Sequence, residues 1–386
     1  MIPFDYQSPT KIYFGIGKEK EIGKIIKEYG FKKVLFHYGK QSIKNSGLYD
    51  LIIKSLQDSN IEFIELGGVE ANPDITLVRE GVKLCKKENI DFILAVGGGS
   101  VIDSAKSIGH GYYYNGDPYD FNQHLITASK SIPIGVILTI AAAGSEMSNS
   151  CVISDVSKKL KKGFNAESNR PLFVIENPAL TYSVPRVQTA YGIVDIISHS
   201  LERYFNESAD IELADYFAEG LIKAVIDAGK IVILEPTNYD ARATLMVASS
   251  YSHNGLTGIG KKFSFPIHQL EHELSGLRHD IAHGAGLACL IPAWMKLMLD
   301  YDLSKLAQFA INVMKVDDQS DKRIVALDGI NKLENFFLSL GISTHLKDYQ
   351  INKEDIDLMC ERIPLPVKGK ISLTRDLVKS IYLLAL

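Results

Sequence analysis

From its start to about residue 180 the chain alternates short apolar runs with amphipathic stretches. Lys33–Tyr38, Ile61–Leu66 and Phe92–Val96 are compact runs rich in β-branched and aromatic residues, which predicts strands. Between them, Ile22, Ile25, Ile26 and Tyr29, and then Val78, Val82 and Cys85, recur at three- and four-residue spacing, which predicts helices. Strand alternating with helix is the pattern of a parallel sheet covered by crossover helices. Ile134–Ile140 and Leu172–Ile175 extend that sheet, and Asn177-Pro178 is a turn signal after it. Beyond Val184-Pro185 the pattern changes to long helical stretches, Ile193–Phe205, Ile211–Leu234 and Ala241–Ser252. The expected architecture is therefore an α/β domain over 1–184 and an all-helical domain over 185–386. With no repeat and no long linker, a cleft between the halves is the expected place for a site.

Composition narrows the partners. At 386 residues there is room for two or three domains, and 46% hydrophobic with 23% charged residues is ordinary for a chain that folds throughout. The formal net charge of −4 leaves no electrostatic footprint for nucleic acid or an anionic membrane surface. The longest apolar run, Ile132–Gly144, is interrupted by Pro133, Gly135 and Thr139 and falls short of the roughly 20 residues that span a bilayer. Met1–Tyr6 has neither a basic nor an apolar leader segment, so a cytoplasmic location is expected. Cys85, Cys151, Cys289 and Cys360 lie far apart and read as buried reduced thiols rather than a metal site or a disulfide frame.

Two features carry candidate chemistry. The first is Val96-Gly97-Gly98-Gly99-Ser100, a strand end, three glycines and a helix start, with Asp103 and Lys106 following. Residues without side chains let a phosphate approach the backbone, and the helix start favours an anion. Ser100 is the expected N-cap. The competing reading is a plain tight βα turn. If a nucleotide lies here, the end of an earlier strand selects its ribose. That turn is Gly39-Lys40-Gln41-Ser42, which holds no acid to bind a 2′-hydroxyl and a lysine that can hold a 2′-phosphate. NADP(H) is expected over NAD(H), with NAD possible and a solvated surface turn the bland alternative.

The second feature is a concentration of histidines. Four of the ten, His268, His272, His279 and His283, fall close together. His268 and His272 are four residues apart, as are Asp195 and His199, so each pair shares a helix face. A carboxylate with imidazoles and no thiolate suits Fe²⁺ or Zn²⁺. A lone histidine on an apolar face is usually a core residue; two such pairs favour a metal site.

These residues together resemble the iron-containing (group III) alcohol dehydrogenase family, and within it the butanol-dehydrogenase-like, NADP-dependent aldehyde reductases. The co-linear motifs run from Lys11-Ile12-Tyr13-Phe14-Gly15 through Asn72-Pro73, Gly97–Lys106, Asp117–Phe121, Gly144–Met147 and Asn177–Thr181 to Gly192–His199 and His268–Gly284. The resemblance implies a dehydroquinate synthase-like two-domain fold, with a Rossmann-like nucleotide-binding domain and a helical metal-binding domain. It implies metal ligands at Asp195, His199, His268 and His283, the last chosen over His279 because it precedes Gly284 as in the family's His-Gly pair. It also implies cofactor contacts at Gly39, Lys40, Gln41, Ser42, Gly97, Gly98, Gly99, Ser100, Asp103, Thr139 and Lys161. His272 matches the family's non-ligand histidine near the metal and is the expected proton-transfer group. Three departures stand out. The interval from His268 to His283 is one residue longer than usual, Ala143 replaces a Thr, and Ser148 replaces an Asn.

The implied activity is reversible hydride transfer between NADP(H) and a primary alcohol or aldehyde such as butanol or butanal. A metal would polarise the carbonyl, and His272, with an ordinary pKa near 6.5, would relay the proton. The alternative is a dehydroquinate-synthase-like or glycerol-dehydrogenase-like enzyme of the same fold; a phosphorylated substrate would need cations where this chain has Phe263, Phe265, Pro266 and Ile267. A homodimer is the expected assembly.

Overall fold

The computed structural model describes residues 1–205, 207–208 and 210–386. The chain divides into two compact units, Gln7–Val184 and Pro185–Leu386, the latter joined by Met1–Tyr6. The first six residues, expected with the α/β half, thus belong to the helical unit, where Ile2 N donates to Gly260 O at 3.0 Å.

The first unit is built on β1 (Lys11–Phe14), β2 (Lys33–Tyr38), β3 (Glu62–Leu66), β4 (Phe92–Gly97), β5 (Ile134–Leu138), β6 (Ser150–Asp155), β7 (Leu160–Asn165) and β8 (Phe173–Glu176). Its helices are α1 (Ile22–Glu28), α2 (Ser42–Asn45), α3 (Leu48–Asp58), α4 (Ile75–Glu88), α5 (Gly99–Tyr112) and α6 (Tyr119–Asn122). Six strands form one parallel sheet in the order β1-β8-β5-β4-β2-β3. The central β4, β5 and β8 are buried along their whole length, as a sheet covered on both faces requires, while the edge strands β1 and β3 are partly exposed. β6 and β7 pair as a separate antiparallel ribbon that the sequence pattern did not predict.

The chain runs from β2 outward to β3, then returns to place β4 on the other side of β2. That reversal is the topological switch point at which open α/β sheets bind ligands, beyond the carboxyl ends of the strands. Those ends, after Tyr38 and after Val96, lie side by side because Tyr38 is in register with Val96.

Within this sheet His37 is fully buried on β2. Its Nδ1 meets Leu66 O at 2.8 Å and its Nε2 meets Ser104 Oγ at 2.9 Å. A carbonyl only accepts, so Nδ1 carries the proton and Nε2 accepts from the serine. Burial holds the imidazole down at about 4. Above the ordinary value of 6.5 it is neutral folded or unfolded. As pH falls from 6.5 towards 4, the unfolded chain takes up a proton that the folded chain refuses. This site alone is expected to remove about 3 kcal/mol of stability over that interval. Denaturant titrations of wild type and His37→Gln check this: the variant's loss of stability between pH 6.5 and 4 should be shallower, and equal slopes would refute it.

The second unit is helical: α7 (Arg186–Tyr204), α8 (Glu212–Leu234), α9 (Tyr239–His253), α10 (Pro266–Leu277), α11 (His283–Met298), α12 (Leu303–Asn312), α13 (Lys322–Ser339), α14 (Lys353–Arg362) and α15 (Arg375–Ala385). α11, and α7 beyond its exposed first turn, are largely buried, α7 with polar residues among its buried positions. No helix among the described residues is long and apolar enough to cross a membrane. All four cysteines are buried and unpaired with one another.

Candidate active site

In the helical unit, Asp195 and His199 lie on α7 one turn apart, His268 is in the first turn of α10, and His283 opens α11. Asp195 Oδ1 stands 3.4 Å from His199 Nδ1, 3.6 Å from His268 Nε2 and 3.8 Å from His283 Nε2. A tetrahedral ion with bonds near 2.1 Å separates its ligand atoms by about 3.4 Å, which the distances from Asp195 Oδ1 approach. Asp195 Oδ1, His199 Nδ1 and His268 Nε2 are buried and make no hydrogen bond. Buried polar atoms almost always have partners, and three converging without one mark the place of a ligand. Asp195, His199 and His268 bring their ligand atoms within 4.8 Å of one another. The connection between α10 and α11 also carries His279; among the described residues the set within 4.8 Å includes neither it nor His283, whose Nε2 lies 3.8 Å from Asp195 Oδ1 but whose ring groups with Glu271 and His272.

Burial and charge set the protonation of the set. Burial pushes His199 well below its ordinary value, which leaves the neutral imidazole that a metal needs. Burial would lower His268 too, but the Glu202 and Asp195 carboxylates override it and hold it at about 9. The side chains of Asp195, His199 and His268 are 6%, 6% and 9% exposed, whereas His283 is 24% exposed, so solvent reaches the cluster from the His283 side. His272 is half-buried on that side, its ring centroid 5.8 Å from His283 and 6.4 Å from His268. The partly buried Phe265 packs edge-on against two of the ligand rings, 6.1 Å from that of His199 and 5.5 Å from that of His268.

Three neighbours escaped the reading of the sequence. His253 packs edge-on against His199 at 4.0 Å. Glu202 bonds His268 Nδ1, and Glu271 bonds His283 Nδ1. Spacing could have flagged the carboxylates, since Glu202 is three residues past His199 and Glu271 three past His268, on the same helix faces.

In the α/β unit the expected nucleotide residues gather at adjacent strand ends. The turn Gly39–Ser42 follows β2, Gly97–Ser100 spans the β4–α5 junction, and Thr139 follows β5, its N–H donating to Gly97 O at 3.1 Å. Gly98, not Ser100, occupies the N-cap position of α5, and no side chain caps that end. Ser100 is already inside the helix, so its backbone N–H is one of the donors of an uncapped helix start. The glycines are also needed for packing: a Cβ on Gly98 would lie 2.3 Å from Ile140 Cγ2, and one on Gly97 would lie 2.5 Å from Val101 Cγ2. An uncapped helix start beside the switch point fits a dinucleotide phosphate.

Asp103 and Lys106 turn inward from α5. Asp103 accepts from Ser145 Oγ at 2.5 Å and from Val152 N at 2.9 Å. Lys106 Nζ donates to the carbonyls of Ser145, Ser148 and Ser150 at 2.8, 3.1 and 2.7 Å. Burial pushes the carboxyl up and the ammonium down. Both side chains pin the 145–152 segment to the helix. Lys161 is buried on β7 opposite Ser154, close enough that its charge opposes the rise at Asp103. Lys40 is exposed and its Nζ lies 2.5 Å from Glu70 Oε1.

Comparison with known proteins identifies the family. Residues 9–178 match the family model "Iron-containing alcohol dehydrogenase" and residues 189–383 match "Fe-containing alcohol dehydrogenase family, C-terminal". The chain is 42% identical over 363 residues to the NADH-dependent butanol dehydrogenase A of Clostridium acetobutylicum, covering 94% of this chain and 93% of that one. It is 35% identical over 364 residues to the NADPH-dependent aldehyde reductase YqhD of Escherichia coli, covering 93% and 92%. The crystal structure of an NADH-dependent butanol dehydrogenase A from Thermotoga maritima superposes with a TM-score of 0.96 at 37% identity, covering 100% of this chain and 99% of that one. These relatives do not favour the dehydroquinate-synthase-like or glycerol-dehydrogenase-like alternative. An α/β unit with a parallel six-stranded sheet, a helical unit and matches over both thus lead to one conclusion: the chain belongs to the iron-containing alcohol dehydrogenase family and is an oxidoreductase of the alcohol dehydrogenase and aldehyde reductase type.

Proposed function

We propose that the protein reduces small uncharged aldehydes such as butanal to primary alcohols, reversibly, with NADP(H) and a divalent Fe²⁺ or Zn²⁺ held by Asp195, His199, His268 and His283. The observation that carries this reading is the convergence of the three imidazole nitrogens on Asp195 Oδ1. When bound, the ion supplies Lewis-acid polarisation of a carbonyl oxygen and the nicotinamide supplies the hydride. Asp195 contributes the anionic ligand and the histidines would bind as neutral imidazoles, His268 giving up the proton that Glu202 and Asp195 favour in the free site. His272, half-buried on the solvent side of the cluster, carries a proton between solvent and the alcohol oxygen. Phe265 gives the flank of the ligand set an apolar wall that suits an alkyl chain. Arg203, the buried cation beside it, is committed to His199 O and Ser252 O at 2.8 and 2.9 Å and stacks over Phe263 and Phe265, which disfavours a phosphorylated substrate.

The turn Gly39–Ser42 carries no carboxylate, which supports NADP(H). One observation favours NADH as a second reading: Glu70 already partners Lys40. Short aldehydes and one phosphorylated keto acid, assayed with NADPH and NADH side by side, separate the two. The expected result is aldehyde reduction with kcat/KM about tenfold or more higher for NADPH, a difference of about 1.4 kcal/mol. Equal or reversed preference selects the second reading, and no aldehyde-dependent oxidation of either coenzyme overturns both. His272→Ala should lower kcat by roughly 10²–10⁴ with metal content intact; an unchanged kcat removes His272 from the proton path.

A further inference from the structure

Three helices bring the ligand set together, and two buried glutamates stand behind its imidazoles. Glu202 on α7 and Glu271 on α10 have side chains 1% and 0% exposed. Glu202 Oε2 bonds His268 Nδ1, while its Oε1 accepts from Ile267 N at 2.6 Å and lies 3.4 Å from His268 N. Pro266 opens α10, so Ile267 and His268 are the first N–H donors of that helix, which have no partner inside it. One carboxylate therefore satisfies the start of α10 and grips the ring of the histidine it carries. Glu271 Oε2 bonds Nδ1 of His283, at the start of α11. Its stem lies tight against that helix: a Cβ on Gly286 would stand 2.9 Å from Glu271 Cγ.

A carboxylate only accepts from an imidazole N–H, so each of these bonds keeps a proton on Nδ1 and makes Nε2, which faces Asp195, the nitrogen free to exchange its proton for an ion. We infer that Glu202 and Glu271 are positioning residues that fix the tautomer and aim of His268 and His283, linking α7 to α10 and α10 to α11, and thereby set the affinity for the divalent ion. His199 differs, since it is Nδ1 of that ring that faces Asp195. The inference rests on the ligand set proposed above. Carboxylates behind metal-bound histidines typically account for a tenfold to hundredfold change in metal affinity.

The probe is Zn²⁺ binding by the full chain, measured by chelator competition, for wild type, Glu202→Gln, Glu271→Gln and Glu271→Leu, with the melting temperature of each chelated protein recorded as a check on folding. A second readout is the visible spectrum after Co²⁺ substitution. The expected result is a Kd for Zn²⁺ raised roughly tenfold in the Gln variants, whose amide oxygen still accepts from Nδ1, and roughly a hundredfold in Glu271→Leu, with a changed Co²⁺ spectrum. Should Glu202→Gln fail to fold, the two Glu271 variants decide. A Kd within twofold of wild type in folded variants overturns the inference. So does a wild-type stoichiometry of two Zn²⁺ with one lost in Glu271→Gln, because Glu271, His272 and His283 also bring ligand atoms within 4.8 Å. Wild-type protein that holds no Zn²⁺ overturns the ligand set itself, and this inference with it.

Discussion

Asp195→Ala is expected to lower kcat/KM for aldehyde reduction by at least ~10³-fold and to leave the purified protein without bound metal. Three imidazole nitrogens meet at the Oδ1 of this residue, and it is the anionic member of the set. Lewis-acid stabilisation of developing charge contributes several kcal/mol, and each 1.36 kcal/mol is a factor of ten in rate, so losing the ion removes about three or more decades. Steady-state kinetics and metal content on one sample, with circular dichroism to verify folding, check the result. A folded variant that keeps a tenth or more of wild-type turnover would contradict the role of Asp195 as a metal ligand.

Gly284→Ala should strongly destabilise the helical unit. A Cβ at this position would lie 2.4 Å from Tyr191 O and 2.7 Å from Tyr191 Cα, atoms of the α7 backbone that cannot rotate away. The start of α11 would have to separate from α7, taking His283 away from Asp195, which sits one turn beyond Tyr191. Overpacking of this kind costs about 3 kcal/mol, on the order of 6–12 °C in Tm for a unit of this size, and Zn²⁺ binding should weaken in parallel. Gly220→Ala, inside α8 with nothing within 4 Å, is the matched control and should leave Tm unchanged or raised. Equal melting temperatures for Gly284→Ala and wild type would contradict the packing argument.

The contact at Tyr191 also gives a physical reason for a glycine that the sequence presented only as half of a motif. The same holds for Gly97 and Gly98, read as room for a phosphate. Their neighbours Val101 and Ile140 forbid side chains there for packing reasons as well.

The sheet was legible where burial on both faces makes strands read as unbroken apolar runs, as in β4 and β5. It was not legible at β6 and β7, where Lys161, Lys162 and Gly163 interrupt any alternation and β6 is held to α5 by Asp103 and Lys106, residues distant in sequence. The long helices α7, α8 and α9 were legible from their apolar periodicity, whereas the placement of Met1–Tyr6 with the helical unit depends on contacts hundreds of residues away.

The candidate site divides the same way. Helical spacing placed Asp195 with His199, and His268 with His272, but convergence of α7, α10 and α11 is a tertiary fact that spacing does not contain. Glu202 and Glu271 shared faces with those residues and still passed unnoticed, because a glutamate on a helix is ordinarily a solvated one. Only burial and the bonds to Nδ1 distinguish them. Asp103, expected beside the nucleotide, spends its oxygens on Ser145 and Val152 and so supports the loop beneath the helix start.

A divalent ion on Asp195, His199, His268 and His283 is proposed to make the chain an aldehyde reductase. The most direct measurement follows butanal-dependent oxidation of NADPH and NADH by one preparation as purified, after chelation, and after return of one equivalent of Fe²⁺ or Zn²⁺. Turnover should vanish with the metal and return with it. Undiminished turnover by protein shown to contain no metal would contradict the account.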